Sequence, residues 1–250
     1  MATPSLLLIA HAPALVPDDE RPALAARAME QAFPGVDLSW TISDEGRFIP
    51  LPQRDAWIAQ ELRTGGIHLV CNGDEAFLVS INGQESSAAF SAGGQAQYES
   101  HAEWPWTPSS VLPSAPVLSA VAEVARAFWG HLTPSGAALD IALQTSPTLE
   151  GPPNPTRGLP PLKLPWEIRA PEVPHHLGWL NYWSAATARL LKFPDPSRDA
   201  ELLTRSRRTA SGGWIVQLTD TPLDLDDPAH LDALLRAYAR FPEIGGRAAP

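Results

Sequence analysis

The sequence predicts an α+β fold, a mostly antiparallel sheet covered by helices in one domain over residues 1–250, with a proline-rich ordered strap at 146–174. Three observations predict it. Extended segments cluster between turn signals instead of alternating regularly with helices, which favours antiparallel pairing over a parallel βαβ sheet. Apolar residues recur elsewhere at helical spacing and supply the covering helices. The 250 residues are 44% apolar, enough for one ordinary core, and the 27 prolines and 9 tryptophans beside only 18% charged residues describe a compact chain with many irregular connections.

Leu6 to Ala12, an apolar run closed by Pro13, reads as a buried strand. Asp18-Asp19-Glu20 then leads into a helix through Ala32, with Leu24, Ala28 and Ala32 on one stripe and the carboxylates against the positive end of the helix dipole. Leu38 to Ser43 alternates, setting Leu38, Trp40 and Ile42 against Asp37, Ser39 and Thr41 as a half-buried strand does. Gln53 to Leu62 is helical in spacing, and Gly65-Gly66 is its stop signal. Ile67 to Cys71 and Phe77 to Ile81 are strands divided by the turn-former Asn72-Gly73-Asp74. Asn82-Gly83 reads as a second turn and Gly93-Gly94 as a third, after which Gln95 to Trp104 extends the group into an antiparallel meander.

From Pro116 to Trp129 the positions Val117, Val121, Val124, Ala125 and Phe128 keep the 3.6 period, giving a helix against the meander with Gly130 placed to stop it. Ser146 to Pro174 contains Pro152-Pro153, Pro155, Pro160-Pro161, Pro165, Pro171 and Pro174, and proline removes the donors a helix needs. Leu159, Leu162, Leu164, Trp166 and Ile168 make it a packed strap, since a solvated linker needs no such side chains. Leu180, Trp183, Thr187, Leu190 and Leu191 form a helical stripe, Gly212-Gly213 precedes a strand from Trp214 to Thr219, and a last helix runs from Pro228 to Arg240.

A formal net charge of −10 opposes the basic footprint of nucleic-acid or anionic-membrane binding and would attract a basic partner. Cys71 is the only cysteine, so an internal disulfide is impossible. The opening Ser5-Leu6-Leu7-Leu8-Ile9-Ala10 lacks a basic flank and is broken at His11 and Pro13, so a signal segment is not expected there and a cytoplasmic location is. Catalytic pairing of His68 with Cys71 is opposed by their odd spacing, which turns them to opposite strand faces and leaves His11 or His101 as alternative bases. Asp224, Asp226, Asp227 and His230 resemble a metal site in composition, yet Asp227 before Pro228 is an N-cap with proline at the first helical position. His175-His176 lacks the spacing partners of a zinc site, and neither a phosphate-binding loop, a nucleotide fingerprint nor a nucleophile elbow occurs. No catalytic set, cofactor or metal is expected.

Gly212-Gly213-Trp214-Ile215-Val216-Gln217-Leu218-Thr219, followed by Pro222-Leu223-Asp224 and the helix from His230, resembles the immunity protein 52 family of bacterial polymorphic-toxin systems. Phe128-Trp129-Gly130 and the Leu6 to Ala12 opening fit the same pattern. The chain is also similar to a related uncharacterised bacterial family through Trp40-Thr41-Ile42-Ser43-Asp44 and Leu177-Gly178-Trp179-Leu180-Asn181-Tyr182-Trp183. The resemblance implies a cytoplasmic α+β protein that binds a cognate toxin, typically a nuclease with a restriction-endonuclease-like domain, and needs no catalysis of its own. Exposed positions in turns and at strand ends nominate Asp44, Glu45, Asp74, Glu75, Glu99, Glu103, Trp104 and Trp106 as toxin contacts. The competing expectations are a small hydrolase or transferase using Cys71 and a ligand-binding module with a tryptophan-lined pocket.

Overall fold

A computed structural model describes residues 4–64, 68–145 and 156–248. Ten strands lie among them: β1 (Ser5–Pro13), β2 (Trp40–Ile42), β3 (Phe48–Pro50), β4 (Val70–Cys71), β5 (Ser80–Ser86), β6 (Gln97–Pro105), β7 (Trp129–Pro134), β8 (Leu180–Trp183), β9 (Arg207–Arg208) and β10 (Trp214–Gln217). They form one sheet in the order β3-β2-β4-β5-β6-β1-β7-β8-β10-β9, and every neighbouring pair is antiparallel. The eight helices of the described residues are α1 (Arg21–Ala32), α2 (Arg54–Thr64), α3 (Pro108–Val111), α4 (Ser114–Ala125), α5 (Ser135–Ala142), α6 (Ala185–Leu190), α7 (Ala200–Arg205) and α8 (Pro228–Arg240). The expected α+β class and antiparallel sheet are what the chain adopts. Leu38 to Ser43, Cys71, Ile81 and Trp214 all belong to that sheet or to its immediate flanks.

Side chains alternate across a strand, so the pairing register sorts the two faces of the sheet. On the first face Leu6, Leu8, Ala10 and Ala12 oppose Trp104, Ala102, Ser100 and Tyr98, and all eight are buried. There α4 packs on β1, β7 and β8, and α1 packs on α4. The expected seat of α4 on the meander is thus displaced towards the middle of the sheet. On the second face the row His11, Trp129, Trp183 and Trp214 crosses β1, β7, β8 and β10. Phe241, just past α8, meets the Trp183 ring edge-on at 5.0 Å, and Phe193, just past α6, meets it at 5.1 Å. Helices therefore cover the first face near the centre and the second face over β7, β8 and β10.

Several local expectations are corrected. Asp18-Asp19-Glu20 stands before α1 instead of in its first turn. Asp19 is spent on Arg21, which also donates to Pro13 O, Ala14 O and Ala125 O and so ties β1 to both α1 and α4. Burial pushes the Asp19 carboxyl up, but the hydrogen bonds from Arg21 outweigh it and hold it at about 2. Thr41, assigned to the solvent face of its strand, is buried and donates to Leu69 O at 2.7 Å. Gly130 does not stop a helix. α4 ends at Ala125 because Arg126 turns left-handed at φ 56, and Gly130 instead lies in β7, where a Cβ would sit 2.9 Å from Ile9 O. Leu180 to Trp183 is β8 and not part of a helical stripe, since both its faces are buried and burial erases the alternation that marks a strand.

The short strands β3 and β9, the buried strand β7 and helix α5 carry no signal that sequence reading detected. The Gly65-Gly66 stop, Ile67, and the part of the strap over 146–155 lie outside the described residues. The strap's remainder is irregular and packed, with Leu159, Leu162 and Ile168 buried, whereas Trp166 is 49% exposed. Asp227 caps α8 as expected, accepting from Ala229 N–H at 2.8 Å.

Asn82-Gly83 is the most informative correction. The pair lies inside β5, opposite His101 and Ser100, and Gly83 faces the buried Tyr98 ring so closely that a Cβ would lie 2.3 Å from its hydroxyl. The glycine is there for the close approach and not for a turn. Gly83→Ala is expected to lower stability by about 1–3 kcal/mol, read as a fall in the urea midpoint. An unchanged midpoint would return the pair to a solvent-exposed turn.

Candidate functional site

Among the described residues no helix packs extensively on β6, and the second face of β5, β6 and β1 is left largely to half-buried and exposed side chains. Its side chains, Ser80, Asn82, Gln84 and Ser86 from β5, Glu99, His101 and Glu103 from β6, and Leu7, Ile9 and His11 from β1, are half-buried or exposed. The face is bounded laterally by Trp129 and His131 of β7 and by His175 and His176 just past the strap. Five of the seven histidines converge on this boundary, although they come from four separated segments.

Glu99 is the hub. Its Oε2 accepts from His101 Nε2 at 3.0 Å and Gln84 Nε2 at 3.1 Å, while Oε1 accepts from Ser86 Oγ at 3.1 Å and faces His11 Nδ1 at 3.5 Å. Burial pushes the Glu99 carboxyl up, yet the hydrogen bonds from His101 and His11 outweigh that and hold it well below the usual carboxylate range. An ionised carboxylate accepts only, so the His101 nitrogen facing it carries the proton. His11 lies flat on the Trp129 ring, centroids 3.9 Å apart, and Trp129 is parallel to His131 at 6.2 Å. His131 Nδ1 is 3.1 Å from Thr133 Oγ1, and His175 Nε2 donates to Lys163 O at 2.8 Å, which ties the strap to the segment that follows it.

Of the residues nominated from sequence, Asp44, Glu45, Asp74, Glu75 and Glu103 are exposed. They do not form one cluster. β2 and β4 run antiparallel through the Trp40–Cys71 pair, so the turn holding Asp44 and Glu45 leaves one end of the sheet and the connection holding Asp74 and Glu75 leaves the other. Glu103, opposite Ser80, belongs to the Asp74 end. Trp106 is half-buried and its backbone N–H donates to Pro4 O at 2.8 Å. Trp104 is wholly buried against Phe33 on the first face and cannot touch a partner, because alternation along β6 turns it away from Glu103 and Glu99.

Cys71 is buried and burial pushes its thiol up, the reverse of what a nucleophile needs. His68 is buried and stacks on Tyr98 on the first face. Asp224 N–H donates to His230 Nδ1 at 3.1 Å, a turn contact. Among the described residues no group of three or more His, Cys, Asp or Glu is arranged to hold a metal ion, and no helix is long and apolar enough to cross a membrane. Sequence reading missed the histidine wall, for which the only local signal was the repeated placement of histidine at strand positions.

The wall has a pH signature. Burial pushes His131 down to about 3 and His175 down to about 4, and it holds His176 well below its ordinary 6.5. Their folded values lie below the unfolded ones, so acid protonates the unfolded chain first. The stability they carry is full above pH 6.5 and is lost as pH falls from there towards about 4. The urea midpoint is expected to drop below pH 6.5, costing about 1–2 kcal/mol per buried imidazole by about pH 5. His176→Gln should flatten that slope whatever its effect on stability at neutral pH, and an equal slope in both proteins would refute the assignment.

The fold has a counterpart among solved structures. The Pseudomonas aeruginosa T6SS protein PA0821 is similar over 95% of this chain and 73% of its own, with 16% sequence identity and a TM-score of 0.50. At that identity the likeness concerns the fold. No curated protein sequence matches the chain. A family profile does, over residues 17–249, which takes in every strand of the sheet except β1 and all eight helices. On that match the chain belongs to DUF5953, a family described as a domain of unknown function.

Proposed function

We propose that the protein is an immunity-type inhibitor that binds a cognate polymorphic toxin and neutralises it by stoichiometric steric and electrostatic blocking, without catalysis. The observation that carries this reading is the uncovered half of the second face. Its acidic side chains are Glu99 and Glu103, and β5, β6 and β1 place no lysine or arginine on it. A sheet face that leaves polar side chains open, in a chain of net charge −10, suits a basic protein surface.

Two further observations support it. A solved structure of similar fold is described as a T6SS protein, and the segment from Gly212 to Thr219 resembles the immunity protein 52 family. The toxin class implied by that resemblance is a nuclease of restriction-endonuclease-like fold, whose groove must be positive to hold phosphates. The exposed acids Asp74, Glu75 and Glu103 at one end of the sheet, or Asp44 and Glu45 at the other, can occupy the same field. Glu99 takes part through the field of its charge, because its oxygens already have four donors around them. A cytoplasmic site of action follows from the same reading.

The Cys71 hydrolase is the weaker reading, since the thiol is buried and raised. A tryptophan-lined ligand pocket is also weaker. Trp104, Trp129, Trp179 and Trp183 are buried in packing, and the clefts beside α2 and between α7 and α8 have no tryptophan in their walls.

A protective interface of this kind should bury about 1,200–2,000 Å² in total. Co-expression with the toxin should restore growth, and association should slow as salt rises. Charge reversal at Asp74, Glu75 and Glu103 together is expected to slow association about tenfold with little change in dissociation, measured by surface plasmon resonance. The same reversal at Asp44 and Glu45 tests the opposite end. Salt-insensitive association, unmoved by either set, would overturn the electrostatic mechanism.

A further inference from the structure

Resting on the reading of the chain as a toxin-binding protein, we propose that Phe90 and Trp166 form the anchor of its interface and receive an arginine- or lysine-bearing segment of the partner. Both rings are large and exposed, Phe90 by 65% and Trp166 by 49%, and they meet edge-to-face at 5.9 Å from segments far apart in sequence. Large apolar side chains paired in solvent mark interaction sites more often than isolated ones do.

The pair is held rigidly. Phe90 sits in the connection from β5 to β6, and Gln97 Nε2 donates to Ala92 O at 3.0 Å, which folds that connection over the second face. The strap reaches it through Gly93 N–H, which donates to Ile168 O at 2.8 Å. Gly93 has φ 74, and a Cβ there would stand 2.7 Å from Pro171 Cδ, so only glycine permits the contact. Ala92, Ile168 and Val173 close a small buried cluster beneath. Glu167 accepts from Leu164 N–H at 2.9 Å and fixes the turn that presents Trp166.

This anchor stands at the Ser86–Gln97 end of the uncovered face, whose own charges are the carboxylates Glu99 and Glu103. Aromatic faces attract cations, and a guanidinium laid on the exposed face of either ring would lie in the field of the Glu99 carboxylate, two residues along β6 from Gln97. Aromatic anchors in a preorganised setting carry most of the affinity at protein interfaces, and a surrounding field sets the encounter rate. The occupant fitted to both features is a basic protein segment. Lys163 and Arg169, exposed on the strap three residues before and three residues beyond Trp166, are charges of the opposing sign.

The test uses the full chain with two probes, an arginine–leucine peptide with its glutamate–leucine counterpart, and a toxin that the wild-type chain neutralises on co-expression. The arginine peptide should change tryptophan emission, the change should vanish in Trp166→Phe, and affinity should fall roughly tenfold in Phe90→Ala and in Trp166→Ala. Arg169→Glu should tighten binding of the arginine peptide. Far-ultraviolet dichroism checks that these surface variants fold. Equal binding of the glutamate peptide, or affinities unmoved by both alanine variants, would overturn the proposal, as would self-association that Trp166→Ala abolishes, since the occupant would then be a second copy. Neutralisation that survives both alanine variants removes the anchor and leaves the immunity reading standing. Peptide binding at the pair, with no toxin neutralised, removes that reading and leaves a cation-binding surface.

Discussion

The register of β1 is the constraint on which the rest of the structure depends. This strand alone is bonded to both halves of the sheet, to β6 along its whole length and to β7 over six residues. Its alternation puts Leu6, Leu8, Ala10 and Ala12 on the face that α4 covers, and Leu7, Ile9 and His11 on the other. A slip of one residue would carry His11 into an apolar layer and expose four side chains that are now fully buried. Gly130 strengthens the choice, because only a residue without a Cβ lets β7 approach Ile9 O and Ala10 so closely. The Arg21–Asp19 pair locks the end of the same strand to the helices above it through carbonyls of Pro13, Ala14 and Ala125.

From that register follows an unequal distribution of cover. The helices α1 and α4 take the first face around β1, whereas α8, α6 and the strap take the second face beyond it. One half of the second face is left mainly to polar residues, with Leu7 and Ile9 of β1 among them. Glu99 makes that surface orderly, since a single carboxylate with two donors at one oxygen and two groups at the other holds Gln84, Ser86, His101 and His11 in fixed positions. Polar networks rigidify a surface when all their members are satisfied. The result is a preorganised surface with a carboxylate centre, bordered by imidazoles that burial keeps neutral.

The candidate site was partly legible. Asp44, Glu45, Asp74 and Glu75 were readable as exposed because turn-forming neighbours surround them, and Glu103 because it stands near a strand end. Trp104 was misplaced for the same reason that Glu103 was not, since proximity in sequence says nothing about face and adjacent strand residues point oppositely. The histidine wall was not legible. His11, His101, His131 and His176 lie far apart in the chain, and only the order β6-β1-β7 and the docking of the strap bring them together. The aromatic pair of Phe90 and Trp166 was hidden likewise, because each ring alone reads as core.

The sequence by itself determined the α+β class, the strands β1, β6 and β10, the helices α1, α2, α4 and α8, the packed nature of the proline-rich strap and the acidity of the surface. These follow from short-range rules: period, capping, the geometry of proline and net charge. Only the tertiary structure decided that Asn82-Gly83 continues a strand and that β7 and β8 are strands at all. It also decided which half of which face stays open. Those outcomes rest on close approaches between distant segments, such as Gly83 on Tyr98 and Gly93 on Pro171, and on burial from both sides, which removes the periodic pattern by which local sequence announces a strand.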